Sequence, residues 1–365
     1  MPDFQAPTAL GWSPFFEKQI APEERHLLAA RVAAVHKHRF ALVGESGALS
    51  AVVAGKTLHM AAAEADLPVV GDWVLAKPPV GGTTVIVRRL ERRSELSRRR
   101  PLDRNASTAS SERQVMASNL DFVFIVMSLN QDLNPARLER ALTVVWNSGA
   151  VPVVLLSKAD ICPEADFKAG EIQAVAMGAD VHFFSGLQGQ GLERITAYFK
   201  TGTTACLIGS SGVGKTTLIN ALCGTRQKTL AIREDDSKGR HATTGRALFF
   251  LPGGGMIIDT PGLREIGLMD DADLRASFAD IAGWAGNCKY SDCTHQVEPG
   301  CAVLAAVADG RIKRERYDSY LKLCRELAFQ AGRQSVAGRL EAKKKQKQLG
   351  KVIKQYQQEN FKRRD

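Results

Sequence analysis

One stretch of the chain combines glycines, a lysine and hydroxyl side chains at a spacing suited to binding phosphate. Residues 209–216 read G-S-S-G-V-G-K-T, which satisfies the pattern G-x-x-x-x-G-K-[ST] at every fixed position. The apolar run 205–208 precedes the stretch, and a helix-like run, 217–222, follows it. Main-chain N–H groups in such a loop converge on phosphate oxygens, and the helix N-terminus adds positive potential. The stretch therefore predicts a nucleotide site rather than a glycine-rich turn that binds nothing.

Each member of this phosphate loop has an expected role. Lys215 is expected to reach the β- and γ-phosphates, and the Thr216 hydroxyl to ligate Mg²⁺. The other residues expected to contact the nucleotide here are Gly209, Ser210, Ser211, Gly212, Val213, Gly214 and Thr217.

Other short motifs follow further apolar runs. Residues 259–262 read D-T-P-G and match the D-x-x-G motif of GTPases, in which Asp259 reaches Mg²⁺ and the Gly262 amide senses the γ-phosphate. A second motif that contains an aspartate, residues 157–160, reads S-K-A-D and resembles the guanine-reading motif [NT]-K-x-D. A carboxylate there accepts from both guanine N1–H and the exocyclic amine, whereas adenine offers no such pair.

The remaining base-side residues complete a GTP site. Ser185 and Gly186, followed by a leucine, resemble the S-A-x loop that lies under the base. The predicted guanine contacts are Ser157, Lys158, Asp160, Ser185 and Gly186. Ser157 stands where asparagine is usual, so we expect the loops to lose a bracing amide and GTP to bind more weakly.

A second group of chemically capable residues lies further along the chain. Cys288, Cys293, His295 and Cys301 supply three sulfurs and an imidazole within 14 residues. This is a full tetrahedral set for one structural Zn²⁺, with no coordination position left open. The chain has seven cysteines, an odd number, and this pattern suits a metal site in a reducing compartment better than disulfides.

The elements that must position these residues form several domains. A leader (1–26) precedes five short strand-like runs in 27–100, which predict a barrel of the oligonucleotide-binding (OB) type, although an SH3-like barrel fits equally. From Arg88 to Arg104 there are eight arginines, expected to form either a solvated linker or a contact to a phosphate backbone.

Alternating strands and helices over 101–270 predict an α/β sheet with ligand-binding turns at its strand ends. Helical patterns around the cysteines predict a mostly α zinc domain over 271–335.

The C-terminal tail, 336–365, is basic. From Arg339 onward it holds ten Lys or Arg residues and three acidic ones, which is +7 of the chain's net charge of +10. Such a tail either solubilises the chain or contacts RNA and becomes ordered on binding. The chain has no run of 18 apolar residues and no N-terminal secretion pattern, so we expect a cytoplasmic protein without a membrane partner.

The order of the motifs is unusual for a GTPase, because the base-reading motifs precede the phosphate loop. With a barrel before them and a cysteine–histidine cluster behind, this order resembles the circularly permuted GTPases that depend on the small ribosomal subunit, the RsgA/YjeQ family. The resemblance covers residues from about 27 to 335. It implies a monomer that hydrolyses GTP to GDP and phosphate with Mg²⁺, binds the rRNA of the small subunit, and acts late in that subunit's maturation.

The resemblance also assigns a switch segment. Residues 239–244 read G-R-H-A-T-T and resemble the family's G-[RK]-H-T-T-T. The family implies that His241 lies near the attacking water and that Thr243 or Thr244 ligates Mg²⁺. With Lys215, these are the expected catalytic residues. Leu263 stands where Ras-like enzymes carry glutamine, so hydrolysis by the free protein is expected to be slow.

Two other functions use parts of the same sequence. An ATPase or kinase shares the phosphate loop, but Asp160 at a strand end favours guanine. An RNA-binding module would use GTP only to fix its domain arrangement, and would show no turnover.

Overall fold

The computed structural model describes residues 7–36, 39–45, 47–55, 66–79, 82–99, 113–129, 133–176, 178–224, 246–260 and 273–334. These residues form two compact units, one extending to Ala282 and the other beginning at Gly283. Among the described helices, none is long and apolar enough to cross a lipid bilayer.

The first unit opens with a five-stranded barrel. Its strands are β1 (Leu28–His36), β2 (Arg39–Gly44), β3 (Gly47–Val53), β4 (Trp73–Ala76) and β5 (Thr83–Arg89). The strand order is β1-β2-β3-β5-β4, and β4 pairs back with β1 to close the barrel. The β3–β5 pair is parallel, so the chain crosses over between them and the barrel is not a simple meander. This closed Greek-key arrangement confirms the barrel and fits its OB-like class.

The leader packs on the barrel through aromatic rings. It contains one α-helical turn, α1 (Pro14–Glu17), between two 3₁₀ turns. The Trp12 ring lies edge-on to Trp73 with 4.7 Å between centroids. Phe16 is buried beside the same tryptophan. At Gly11, φ is +85° and a Cβ would lie 2.7 Å from the Gly202 carbonyl oxygen, so only glycine fits. The leader therefore contacts both the barrel and the turn that precedes the strand before the phosphate loop.

The arginine-rich exit of the barrel is a strand rather than a linker. Residues Glu95–Arg99 form β6, which pairs with β7 (Arg113–Ser118) in an antiparallel two-stranded sheet. The sequence prediction missed both strands, because E-L-S-R-R and R-Q-V-M-A-S are short and begin or end in charged residues that look like solvated chain. Pairing with β7 is what holds this segment extended.

Three of the arginine side chains at this exit bond to carboxylates within the same unit. Arg92 makes two hydrogen bonds to Asp72, at 2.8 and 2.9 Å, and both side chains are nearly inaccessible to solvent. The three pairs are Arg88 with Glu24, Arg92 with Asp72, and Arg93 with Asp121. The expectation of a solvated linker or a phosphate contact is therefore wrong for Arg92, whose charge is neutralised inside the protein. Arg88 and Arg93 are paired but remain partly exposed to solvent.

The rest of the first unit is an α/β sheet. Its strands are β8 (Phe122–Ser128), β9 (Val151–Ser157), β10 (Asp180–Phe184), β11 (Thr204–Ile208), β12 (Ala247–Phe250) and β13 (Met256–Asp259). They run in the order β10-β9-β8-β11-β13-β12, with the first five parallel and β12 antiparallel to β13. A pairing between β1 and β12 joins this sheet to the barrel in one eleven-stranded sheet.

Among the described residues, four α-helices accompany these strands: α2 (Pro135–Asn147), α3 (Ala165–Val175), α4 (Leu192–Thr196) and α5 (Lys215–Cys223). Asn134 caps α2, since its side chain accepts a hydrogen bond from the Arg137 N–H at 3.0 Å. The core between sheet and helices is apolar and buried, and includes Phe124, Leu155, Leu207, Leu218 and Ile257. The strand ends that carry the motifs are thus held on a packed scaffold.

The second unit contains the cysteine–histidine loop between helices. Helix α6 (Ala279–Ala285) begins in the first unit and ends in the second, and α7 (Ala302–Ala308) and α8 (Arg314–Gln334) follow the loop. The helical pattern that follows the cysteines forms two helices, because Gly310 adopts a φ of +72° after α7 and ends it.

Candidate nucleotide site and metal centre

The carboxyl ends of the parallel strands bring the predicted GTP contacts to one edge of the sheet. The 157–160 motif follows β9, Ser185 and Gly186 follow β10, the phosphate loop follows β11, and Asp259 ends β13. Loops at this edge of an open α/β sheet form its ligand-binding crevice. Strands β9 and β10, which lead to the base-side motifs, precede β11 in the chain, so the structure has the permuted order.

The phosphate loop requires its first glycine. At Gly209, φ is +143° and a Cβ would lie 2.2 Å from the carbonyl oxygen of Val126 on the neighbouring strand β8. The Lys215 ammonium donates to the Gly209 and Ser210 carbonyl oxygens at 2.7 and 2.6 Å, so the lysine lies across the loop. Thr216 is exposed in the first turn of α5. The loop therefore has the shape and the positive charge that a polyphosphate needs.

Asp259 lies buried beside this loop. It is adjacent to Leu207 across the β11–β13 pair, and only 8% of its surface is exposed. Burial raises the pKa of the Asp259 carboxyl, while the nearby Lys215 charge acts in the opposite direction. The next residue, Thr260, donates its hydroxyl to the Leu207 carbonyl oxygen at 2.8 Å. Thr260 is thus occupied within the sheet, whereas the Asp259 carboxylate and the exposed Thr216 hydroxyl are oxygen ligands of the kind that Mg²⁺ prefers.

Ser157 connects the predicted guanine-binding loop to the phosphate loop. Its hydroxyl donates to the Val213 carbonyl oxygen at 2.7 Å, and the side chain is buried. Serine lacks the usual bracing amide, but its hydroxyl still connects the two loops, because it is long enough to reach the phosphate loop. Weaker GTP binding stays a prediction. Lys158 follows with a left-handed φ of +60°, and Asp160 lies half-buried in a single 3₁₀ turn.

The second base-side loop lies against α5. The Ser185 hydroxyl accepts the Gln188 N–H at 3.2 Å, which closes the loop on itself. A Cβ on Gly186 would lie 2.9 Å from the Thr217 methyl group. Gly186 therefore allows close contact between the predicted base-binding loop and the helix that begins at the phosphate loop.

Arg137 is a contact that sequence reasoning missed. From the first turn of α2, its guanidinium donates to the Ser210 hydroxyl of the phosphate loop at 2.9 Å. No local pattern reveals this contact, because the two residues are 73 positions apart and meet only through the strand order. It adds a second cation to a loop that already holds Lys215.

Several predicted site residues lie outside the described residues: His241, Thr243, Thr244, Gly262 and Leu263, as well as the basic tail from residue 336 onward. Their assigned roles stay predictions.

The cysteine–histidine cluster meets the geometric requirements of a zinc site. The ligand atoms of Cys288, Cys293, His295 and Cys301 all lie within 4.8 Å of one another. The Cys288 and Cys301 sulfurs are 3.9 Å apart, and each is 3.5 Å from His295 Nδ1. Tetrahedral Zn²⁺ with ordinary bond lengths requires edges of about 3.8 Å between sulfurs and about 3.5 Å from sulfur to nitrogen. The donor set and its spacing therefore fit one Zn²⁺.

Comparisons with known proteins agree with this geometry. A family model described as RsgA GTPase matches residues 89–269. The "Small ribosomal subunit biogenesis GTPase RsgA" of Syntrophotalea carbinolica is 39% identical over 96% of this chain and 98% of its own length. The protein of the same name from Methanosarcina acetivorans is 41% identical over 95% of this chain and 92% of its own.

Two solved structures share the fold. YjeQ from Thermotoga maritima is 25% identical, with a TM-score of 0.63, and the match covers 83% of this chain and 99% of that one. YloQ, described as a circularly permuted GTPase, is 24% identical, with a TM-score of 0.60 over 84% and 97% of the two chains. Identity of about 40% along nearly the whole length of the named relatives decides the family. The chain belongs to the RsgA GTPase family.

Proposed function

We propose that this protein hydrolyses GTP to GDP and phosphate, with Mg²⁺, as a step in the maturation of the small ribosomal subunit. The observation that carries the proposal is the convergence of the phosphate loop, Asp259 and Asp160 at one edge of the sheet. The full-length similarity to proteins named small ribosomal subunit biogenesis GTPases supports the biological setting.

The phosphates and Mg²⁺ would be held by the loop after β11. Lys215, already directed across that loop, would exchange its carbonyl partners for the β- and γ-phosphates. The Thr216 hydroxyl would ligate Mg²⁺, and Asp259 would reach the ion through water. Mg²⁺ would supply charge neutralisation between the β- and γ-phosphate oxygens.

Guanine would be read by Asp160, with the Ser185–Gly186 loop beneath the base. The Ser157–Val213 hydrogen bond supports this arrangement, because it fixes the base-side loop to the phosphate loop before the nucleotide binds. A preorganised site of this kind has less to order on binding.

The residues near the attacking water are assigned from the sequence alone. We propose that His241 lies near the attacking water and that Thr243 or Thr244 completes the Mg²⁺ shell. Gly262 would sense the γ-phosphate through its amide. Leu263 cannot orient water as glutamine does, so the free enzyme would be slow and would need a partner to arrange its switch segments.

We propose one structural Zn²⁺ held by Cys288, Cys293, His295 and Cys301. The tetrahedral distances and the closed four-ligand set support a role in folding rather than catalysis. The ion would supply a large part of the folding free energy of the loop between α6 and α7.

Ribosomal RNA would be bound by the barrel, the zinc domain (271–335) and the basic tail (336–365), with the GTPase domain spanning 101–270. The tail's charge of +7 supports this assignment. We propose that the protein acts as a monomer in the cytoplasm. A cysteine set suited to metal binding, which requires reduced thiols, and a ribosomal partner support this location.

Co-sedimentation with purified ribosomal subunits tests the partner. In the presence of a non-hydrolysable GTP analogue, we expect the chain to pellet with small subunits and not with large ones, and GDP to weaken that association. Equal recovery with both subunits, or with neither, would refute the assignment.

A further inference from the structure

A single carboxylate organises the loop that carries the proposed zinc ligands. Glu298 Oε1 accepts a hydrogen bond from the Thr294 N–H at 2.9 Å and another from the Thr294 hydroxyl. Its Oε2 accepts from the N–H groups of Gln296 and Val297, at 3.0 and 3.1 Å. Four donors thus converge on one side chain, which is charged at neutral pH and strengthens each of these bonds.

These bonds lie on both sides of His295, whose main chain is strained. His295 has a φ of +60°, a left-handed conformation that residues with a Cβ adopt rarely and at an energetic cost. Thr294 precedes it and Gln296 follows it, and both are bound by Glu298. Strained conformations persist where the surrounding contacts over-determine them, and here the Glu298 carboxylate supplies those contacts.

The strained conformation has a chemical result. It directs Nδ1 of the buried imidazole to within 3.5 Å of both Cys288 Sγ and Cys301 Sγ. A second contact holds the carbonyl of the same residue, because the Tyr317 hydroxyl on α8 donates to the His295 oxygen at 2.6 Å. Tyr317 fixes the acceptor side of His295, whereas Glu298 fixes the N–H groups that flank it.

We propose that Glu298 is a positioning residue for the metal centre. It holds the Thr294–Val297 turn in place, so that His295 already has its ligating conformation when Zn²⁺ binds. This inference rests on the zinc site proposed above. Without Glu298, the imidazole must be ordered when the metal binds, and the cost appears as weaker affinity. Residues that orient metal ligands through hydrogen bonds typically change metal affinity about 10- to 100-fold when replaced.

Zinc affinity of the full-length chain, measured by competition with a chromophoric chelator, tests the proposal. Glu298→Ala should raise the Zn²⁺ dissociation constant about 10- to 100-fold. Glu298→Gln should give an intermediate value, because its amide oxygen replaces one carboxylate oxygen while its NH₂ group cannot accept the N–H bonds on the other side. Glu315→Ala is the matched control, since it removes an exposed acidic side chain of the same unit, and should leave the affinity unchanged.

Cobalt substitution separates positioning from a general loss of structure. In Co²⁺-loaded Glu298→Gln, the thiolate-to-cobalt bands should persist, since the three cysteines still bind. In Glu298→Ala, the visible ligand-field bands should shift as water competes with the imidazole. Affinity of Glu298→Ala within twofold of wild type, or a Gln variant as weak as the Ala variant, would overturn the proposal. A wild-type chain that binds no zinc would instead overturn the zinc site itself, and this inference with it.

Discussion

The Ser157 hydroxyl donates a 2.7 Å hydrogen bond to the main-chain carbonyl of Val213, across 56 residues of sequence. It joins the predicted guanine-reading loop to the phosphate loop, in the place where the usual asparagine would act. We expect Ser157→Ala to weaken GDP and GTP binding about fivefold, the equivalent of one net hydrogen bond of about 1 kcal/mol. Titration calorimetry measures this, and Ser157→Asn should bind at least as tightly as wild type. Unchanged affinity in the alanine variant would mean that the brace contributes nothing.

The phosphate loop gives the second prediction. Lys215→Ala removes the cation that crosses the loop, and Thr216→Ala removes the proposed Mg²⁺ ligand, so each should lower GTP turnover about 100-fold or more. Thermal unfolding should show both variants folded. Lys200→Ala, which removes an exposed lysine of the same unit, should retain wild-type turnover. Wild-type rates in either loop variant would locate the active site elsewhere.

Base choice gives the third prediction. Asp160→Asn reverses the hydrogen-bonding character of the side chain, so GTP affinity should fall roughly 100-fold, as expected for the loss of charged hydrogen bonds. Affinity for xanthosine triphosphate should rise in the same variant. Competition binding with both nucleotides measures the exchange. If ATP displaces GTP equally well from the wild type, the guanine assignment is wrong.

Much of this site follows from local sequence, and the rest follows from tertiary pairing. The apolar runs before Gly209 and Asp259 predict buried strands, and the motifs that follow them lie at the strand ends, as expected. Strand β6 was missed because Glu95–Arg99 is held extended by β7 rather than by its own pattern.

The contacts that escaped prediction join distant positions. The contacts of Arg92 with Asp72 and of Arg137 with Ser210 exist only because the sheet places these distant positions side by side. Arg92 looks like surface charge in the sequence but is buried, and Arg137 stays exposed while it contacts the phosphate loop. The fold alone decides which carboxylate or hydroxyl each arginine contacts. The hydroxyl of Ser157 was underestimated for the same reason, since its reach to Val213 depends on how closely the two loops approach.

Asp259 gives a prediction about pH and stability. Burial raises the pKa of its carboxyl above the ordinary value, so the native state binds this proton more tightly than the unfolded state does. The ionised carboxylate therefore lowers the free energy of unfolding at neutral pH, and this penalty disappears as the pH falls through the folded-state pKa. Asp259→Asn should raise the Tm of the nucleotide-free protein at pH 7 while lowering Mg²⁺-dependent turnover. A lower Tm at pH 7 would contradict this, and the difference should shrink in acid.

The central claim is that docking on the small subunit completes a catalytic arrangement that the free enzyme lacks. Variants separate binding from chemistry: deleting 339–365 should weaken binding to the subunit with basal turnover nearly unchanged, whereas His241→Ala should lower stimulated turnover with binding retained. Salt should weaken stimulation steeply, because phosphate contacts release counterions.

The most direct measurement is the GTP turnover of the full chain alone, with purified small subunits, and with purified large subunits. We expect slow turnover alone, strong stimulation by small subunits and none by large ones. Equal turnover in all three conditions would contradict the claim, and would leave GTP as a ligand that only fixes the arrangement of an RNA-binding protein.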